Sequence, residues 1–161
     1  MVLFWTTIVL LNFFAYIIPK HLPRWQLYST SIFAVMLQQS IDVYFDLKWD
    51  LYGYFNKGVD TLGFVVEYGI FPAVNMIFLN FWVIRKGFQS KLGYLLACCC
   101  IAIVYEFMAL KSGYFYYNGW KLIYSMMQYP ILFLILVGNL RLIQHFYNKQ
   151  REERISFRHP D

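Results

Sequence analysis

Five long apolar runs separate the polar residues of this chain, and they restrict what it can fold into more than any other feature. They are Val2–Ile18, Leu27–Phe45, Leu62–Ile84, Leu92–Leu110 and Leu122–Leu142. Each holds about 17 to 23 residues, close to the roughly 20 that a helix needs to cross a hydrocarbon core. Only a helix satisfies its own backbone hydrogen bonds over that length in lipid, and the alternating ten-residue pattern of a membrane barrel is absent. The expected fold is therefore all-α: a polytopic membrane bundle of five transmembrane helices in one domain, residues 1–144, followed by a basic tail, 145–161. Val2–Ile18 has no positive leading region and no small-residue cleavage site. It reads as a retained span rather than a signal peptide.

Composition points the same way. Sixty per cent of the 161 residues are hydrophobic and only 14% are charged, against about 25% charged in soluble domains. The net charge of +5 is not gathered with aromatics on one face, so nucleic acid is not an expected partner. The basic residues separate instead by loop. Lys20, Arg24, Arg85, Lys86, Lys91, Arg141, Lys149, Arg151, Arg154 and Arg158 fall on one side, and Lys48, Lys57, Lys111 and Lys121 on the other. The richer side is expected in the cytoplasm, which puts the N-terminus outside and the tail inside a cell membrane. Trp49, Tyr52, Tyr54, Tyr114, Tyr116, Tyr117 and Trp120 then mark the outer interface, and Trp25, Tyr28, Trp82 and Tyr147 the inner one. The tail reads as a solvated helix extension or as a segment drawn to anionic lipid.

Two stretches resemble each other. DLKWDLYGYFNKG begins at Asp46 and EFMALKSGYFYYNG at Glu106. In each, an acid precedes Gly-Tyr-Phe by seven residues, and an aromatic-proline pair follows in the next helix, Phe71-Pro72 and Tyr129-Pro130. The spacing implies a parallel duplication of a helical hairpin, the first run standing outside it. The two aromatic-glycine loops are expected to be turns lying side by side at the outer interface.

The acids near those loops are the candidate site. Asp42 and Asp46 are four residues apart and share a helix face, with Gln38 one turn earlier. Glu67 lies about five residues inside the third run, Glu106 about four inside the end of the fourth, and Gln128 about six inside the fifth. Asn75 lies two turns beyond Glu67. Charged groups within membrane helices are costly unless paired or hydrated, so they should face the bundle interior. Three readings follow. The first is an outward-facing acidic pocket for a cation, proton or small amine. The second is an enzyme for a lipid-soluble substrate, with a carboxyl as general acid. The third is a structural subunit, its acids paired with Lys48, Lys111, Lys121 and tyrosine hydroxyls, whose free apolar face meets a second copy or another membrane protein. The first predicts that Asp46, Glu67 and Glu106 converge.

No pattern calls for a cofactor or a metal. Cys98, Cys99 and Cys100 are consecutive and read as packing residues, and His21, His145 and His159 are scattered away from the acids. There is no phosphate-binding glycine loop and no nucleophile elbow. DLKWDLYGYF with the following K-G-VD, FPAVNMIFLNF, the stretch from Tyr105 to Ser125 and YP-x-LFLIL together resemble a group of small uncharacterised multi-pass proteins of spore-forming Gram-positive bacteria. That likeness covers about Pro19–Ile143. It implies a bacterial cytoplasmic membrane and carries no activity. A narrower likeness is to the membrane domains of lycopene cyclases. Their Pro-x-Glu-Glu pattern is missing here, because Pro72 is followed by Ala-Val-Asn.

Overall fold

The computed structural model describes residues 1–59 and 61–158. Asp60 of the first loop motif and His159–Asp161 of the tail, the end of the 145–161 segment, lie outside the described residues. The chain is mostly helical, with five α-helices and one two-stranded sheet. Helix α1 runs Val2–Ile17 and stops where Pro19 forces Ile18 into the extended region, ψ 144°. The Lys20 ammonium folds back onto the carbonyls of Ala15, Tyr16 and Ile18 at that helix end. Helix α2 runs Arg24–Asp42 and begins at Pro23, whose carbonyl accepts from Gln26 and Leu27. A π-helical turn, Val43–Lys48, continues it. Strand β1 is Tyr52–Tyr54, and α3 runs Thr61–Trp82 with Pro72 inside it. Helix α4 runs Phe88–Ser112 and ends at Gly113, whose left-handed φ of 77° suits glycine. Strand β2 is Phe115–Tyr117, and α5 runs Leu122–Arg158.

Three helices, α3, α4 and α5 as far as Ile155, are long and apolar enough to cross a membrane. Helix α1 is apolar but has 16 residues, about 24 Å at 1.5 Å per residue. Helix α2 falls short on apolarity because its inward face carries Gln26, Thr30, Ser31, Gln38 and Asp42, all buried. Helices α4 and α5 are longer than the apolar runs that announce them, and α2 and α3 are shifted against theirs. α2 starts three residues before Leu27, α4 begins at Phe88, before Leu92, and ends at Ser112, past Leu110, and α5 continues through Leu142 without a break. α3 starts one residue early, at Thr61, and stops two short of Ile84.

The interior has two apolar clusters. One joins α2 to α5 around Leu27, Ala34, Phe78, Leu79, Trp82, Leu95, Phe133 and Leu140. The other lies at the sheet end around Phe4, Tyr52, Val66, Ile70, Ala109, Tyr114 and Phe115. Polar contacts fix the connections. The fully buried Asn80 side chain donates to Pro19 O (2.8 Å) and accepts from His21 N–H (2.7 Å), holding the α1–α2 link against α3. Asn12 of α1 donates to Gly69 O of α3 at 2.7 Å. That contact lies next to the Tyr68 carbonyl, which Pro72 leaves without its helical donor.

The two aromatic-glycine segments do lie side by side. They pair antiparallel, Tyr52 with Tyr117, Gly53 with Tyr116 and Tyr54 with Phe115, and Phe55 N–H donates to Tyr114 O at 2.8 Å. The expected turns at Tyr52–Phe55 and Gly113–Tyr117 are corrected to the paired strands Tyr52–Tyr54 and Phe115–Tyr117. Gly53 is needed there because the Tyr116 ring covers it: a Cβ would lie 2.5 Å from the Tyr116 hydroxyl. Positive φ falls instead on Asp50 and Phe55, 51° and 48°, and on Gly58, Gly113 and Gly119 of the two motifs. Phe55 is held in that conformation with its ring against Phe4 and Tyr114.

Candidate functional site

Helix α2, its π turn and the start of α3 enclose a half-open cavity of about 290 Å³. Asp42, Asp46 and Glu67 line it, with Gln39, Tyr54 and Gly63. The π turn holds one extra residue per turn, Trp49 N–H bonding back five residues to Tyr44 O at 3.0 Å. π turns recur at functional sites because they re-aim side chains. Here Asp42 and Asp46 both remain on the cavity side. Asp42 is 4% exposed. Its Oδ1 accepts from the Tyr52 hydroxyl at 2.6 Å and from Gln38 Nε2 at 2.9 Å, while Oδ2 has no partner. The Glu67 carboxyl lies beside Asp42 and Gln39, and its Oε2 is also buried without a partner. Burial and the neighbouring Asp42 carboxyl raise the Tyr52 phenol far above its ordinary value, so it stays a donor. Burial raises the Tyr54 phenol in the same way. The cavity rim is apolar and exposed: Val43, Leu47, Val59 and Phe64.

Glu106 does not join this cavity, and the expected convergence of Asp46, Glu67 and Glu106 is corrected to two centres. The Glu106 carboxyl is satisfied on both oxygens. Oε1 accepts from Tyr117 and from Ser125 Oγ (2.6 Å), and Oε2 from Tyr129 (2.7 Å). The Trp120 indole donates to Ser125 Oγ at 2.8 Å. An indole N–H can only donate, so the Ser125 proton must point to Glu106. Burial and the Glu106 bond raise the Tyr117 phenol well above its usual value. The T-shaped contact of Tyr52 on Trp120, centroids 5.4 Å apart, separates the two centres.

The remaining candidates lie elsewhere. Asn75 is buried deeper in the bundle and donates to Thr30 Oγ1 (3.1 Å) and Ser31 Oγ (3.3 Å) of α2. Gln128 is half-buried on α5 and does not line the acid cavity. Lysine pairing does not account for the acids. Among the described residues the one ion pair is Lys57–Asp50, and Lys48 and Lys111 lie over the rings of Tyr44 and Phe107. Tyrosine hydroxyls do serve, on Asp42 and Glu106. The sequence reading treats Tyr52 and Tyr117 as interfacial anchors and passes over Ser125. The four-residue spacing of Ser125 and Tyr129 put both on one face of α5 and was the available signal.

No family model, no curated protein and no solved structure matches the chain.

Proposed function

We propose that this is a five-span membrane protein, N-terminus outside and basic tail inside, whose outer half binds a small organic cation between α2 and α3. Three helices already meet the length and apolarity of a span. Exposed apolar side chains cover α1 as well, among them Val9, Leu10, Phe13 and Ile17. The ten-to-four asymmetry of basic residues supports the orientation, and the likeness to multi-pass proteins of spore-formers favours a bacterial cytoplasmic membrane. The strand pairing supports a duplicated hairpin. Tyr54 faces Phe115 and Phe55 reaches Tyr114, so the two Tyr-Phe pairs cross as a local two-fold relation would arrange them. A periplasm-active reporter inserted at Asn56 and a cytoplasm-active reporter after Asp161 should both give signal. The reverse pattern overturns the orientation.

The observation that carries the binding reading is the pair of buried, unpartnered oxygens, Asp42 Oδ2 and Glu67 Oε2, beside one cavity, with no basic side chain among the described residues paired to either. A buried acceptor without a donor is costly, and an ammonium group supplies both donors and charge. Calorimetric titration of the purified protein with ethylammonium, sodium and calcium chlorides tests this. Ethylammonium should bind, and Asp42→Asn and Glu67→Gln should abolish the heat. Equal heats in all three proteins overturn the reading. The apolar rim of Val43, Leu47, Val59 and Phe64 favours a second reading, an enzyme whose lipid-soluble substrate enters sideways. A changed lipid extract in a deletion strain, restored by the wild type and not by Asp42→Asn, would select it.

A further inference from the structure

Helix α2 buries a row of residues spaced by four: Gln26, Thr30, Ala34, Gln38 and Asp42. Four of the five are polar, in a helix whose neighbours are apolar. Such a row winds slowly around its helix, so its two ends meet different partners. At one end Gln144 Nε2 of α5 donates to Gln26 Oε1 at 3.3 Å. In the middle Asn75 of α3 donates to Thr30 Oγ1, which itself donates to Gln26 O at 2.8 Å. At the other end Gln38 donates to Asp42, next to Glu67. The row is about 24 Å long, from 16 residues at 1.5 Å each, most of a hydrocarbon core.

Helix-to-helix fastening explains only part of this row. Gln26 and Thr30 are matched to α5 and α3, whereas Asp42 Oδ2 on the row, and Glu67 Oε2 and Asn75 Oδ1 on the facing α3, are buried without partners. They are three of the five such side-chain atoms among the described residues. Buried polar atoms in this state mark bound water, and interior polar residues of membrane helices mark ion and proton paths. We infer that α2 carries a chain of bound waters from the cavity at Asp42 and Glu67 to the Gln26–Gln144 pair, and that this chain conducts protons across the bundle. Ala34, in the same apolar cluster as Phe78, Leu79 and Phe133, sits in the dry stretch of about 12 Å between Thr30 and Gln38 (eight residues at 1.5 Å each), and that stretch limits the rate. The inference rests on the five-span reading and is independent of the cavity's ligand.

The test uses the full chain in liposomes holding a pH-sensitive dye, with a potassium diffusion potential set by valinomycin. Wild-type vesicles should acidify faster than empty ones. Thr30→Val keeps the shape and removes the hydroxyl, and should slow the protein-dependent rate about ten-fold, the factor that corresponds to one lost hydrogen-bonded step. Thr30→Ser should keep the rate, and Ala34→Ser should raise it. Wild-type vesicles no faster than empty ones, or Thr30→Val indistinguishable from Thr30→Ser, overturn the inference. If ethylammonium still binds to the same preparation, the proton path alone fails and the cavity reading stands.

Discussion

Removing the Glu106 carboxyl should be among the most damaging single changes in the bundle, and its cost can be worked from three bonds. Tyr117, Ser125 and Tyr129 all donate to it, and Ser125 is locked in that role by Trp120. Hydrogen bonds to a carboxyl of this kind are worth about 1.5–3 kcal/mol each when charge-assisted, and a buried donor left alone costs about 1–3 kcal/mol. Ser125 is 3% exposed and shielded from water. The two phenols are partly exposed and recover part of their loss by turning to the interface. Glu106→Leu should therefore cost about 3–6 kcal/mol. Glu106→Gln should cost about 1–2 kcal/mol. Its amide oxygen keeps the bonds of Ser125 and Tyr117, and its NH2 donates to Tyr129, whose hydroxyl then accepts. The pair is read by unfolding in mixed micelles with rising SDS fraction, followed by far-ultraviolet circular dichroism. A double variant adds a sign test. Ser125→Ala alone should destabilise, but placed on Glu106→Leu it removes an orphaned donor and should cost less or stabilise. Glu106→Leu within about 1 kcal/mol of wild type, a small fraction of the three-bond estimate, would refute the reasoning. So would Gln as damaging as Leu.

Asn80→Leu should cost about 1–3 kcal/mol in the same assay, because it removes the partner of the part-buried Pro19 carbonyl and His21 N–H. Gly53→Ala forces the Tyr116 hydroxyl aside and should cost about 1–2 kcal/mol. Tyr116→Ala in the same chain should recover most of that loss. Gly69→Val drives into Ile8, which already lies 3.2 Å from the position of a Cβ. It should loosen α1, seen as faster proteolysis between Ile17 and Arg24, with the sheet-end tryptophan fluorescence unchanged.

All five helices were legible as apolar runs, and so were both ends of α1, but the ends of the other four were not. Hydropathy marks where lipid would lie, whereas a helix ends where its hydrogen bonding or dihedrals are interrupted. Ile18 before Pro19 and Gly113 are such interruptions, and Leu142 is not, so α5 continues into residues that no apolar run announces. The pairing of Asp42 with Asp46 was legible because it depends on spacing along one helix. Their meeting with Glu67, and the separation of Glu106 from both, depends on which helix faces which. A four-residue spacing carries no information about that. The hydroxyl partners were hidden for the same reason, since Tyr52 is ten residues from Asp42 across a strand whose partner lies more than sixty residues away.

Helix α2 shows why composition alone misranks the segments. It is the least apolar of the five runs, and a hydropathy reading treats Gln26, Thr30, Gln38 and Asp42 as four arguments against a span. The structure puts all four on one buried row, while Ile32, Met36 and Val43 remain exposed on the outside. The cost of those polar groups in lipid applies only to a helix that shows them to lipid. Turned inward, they supply the cavity's acid, its Gln38 donor and the contact to Asn75. The polarity that lowers α2 on a hydropathy reading is thus concentrated where three of the five unpartnered side-chain atoms among the described residues lie.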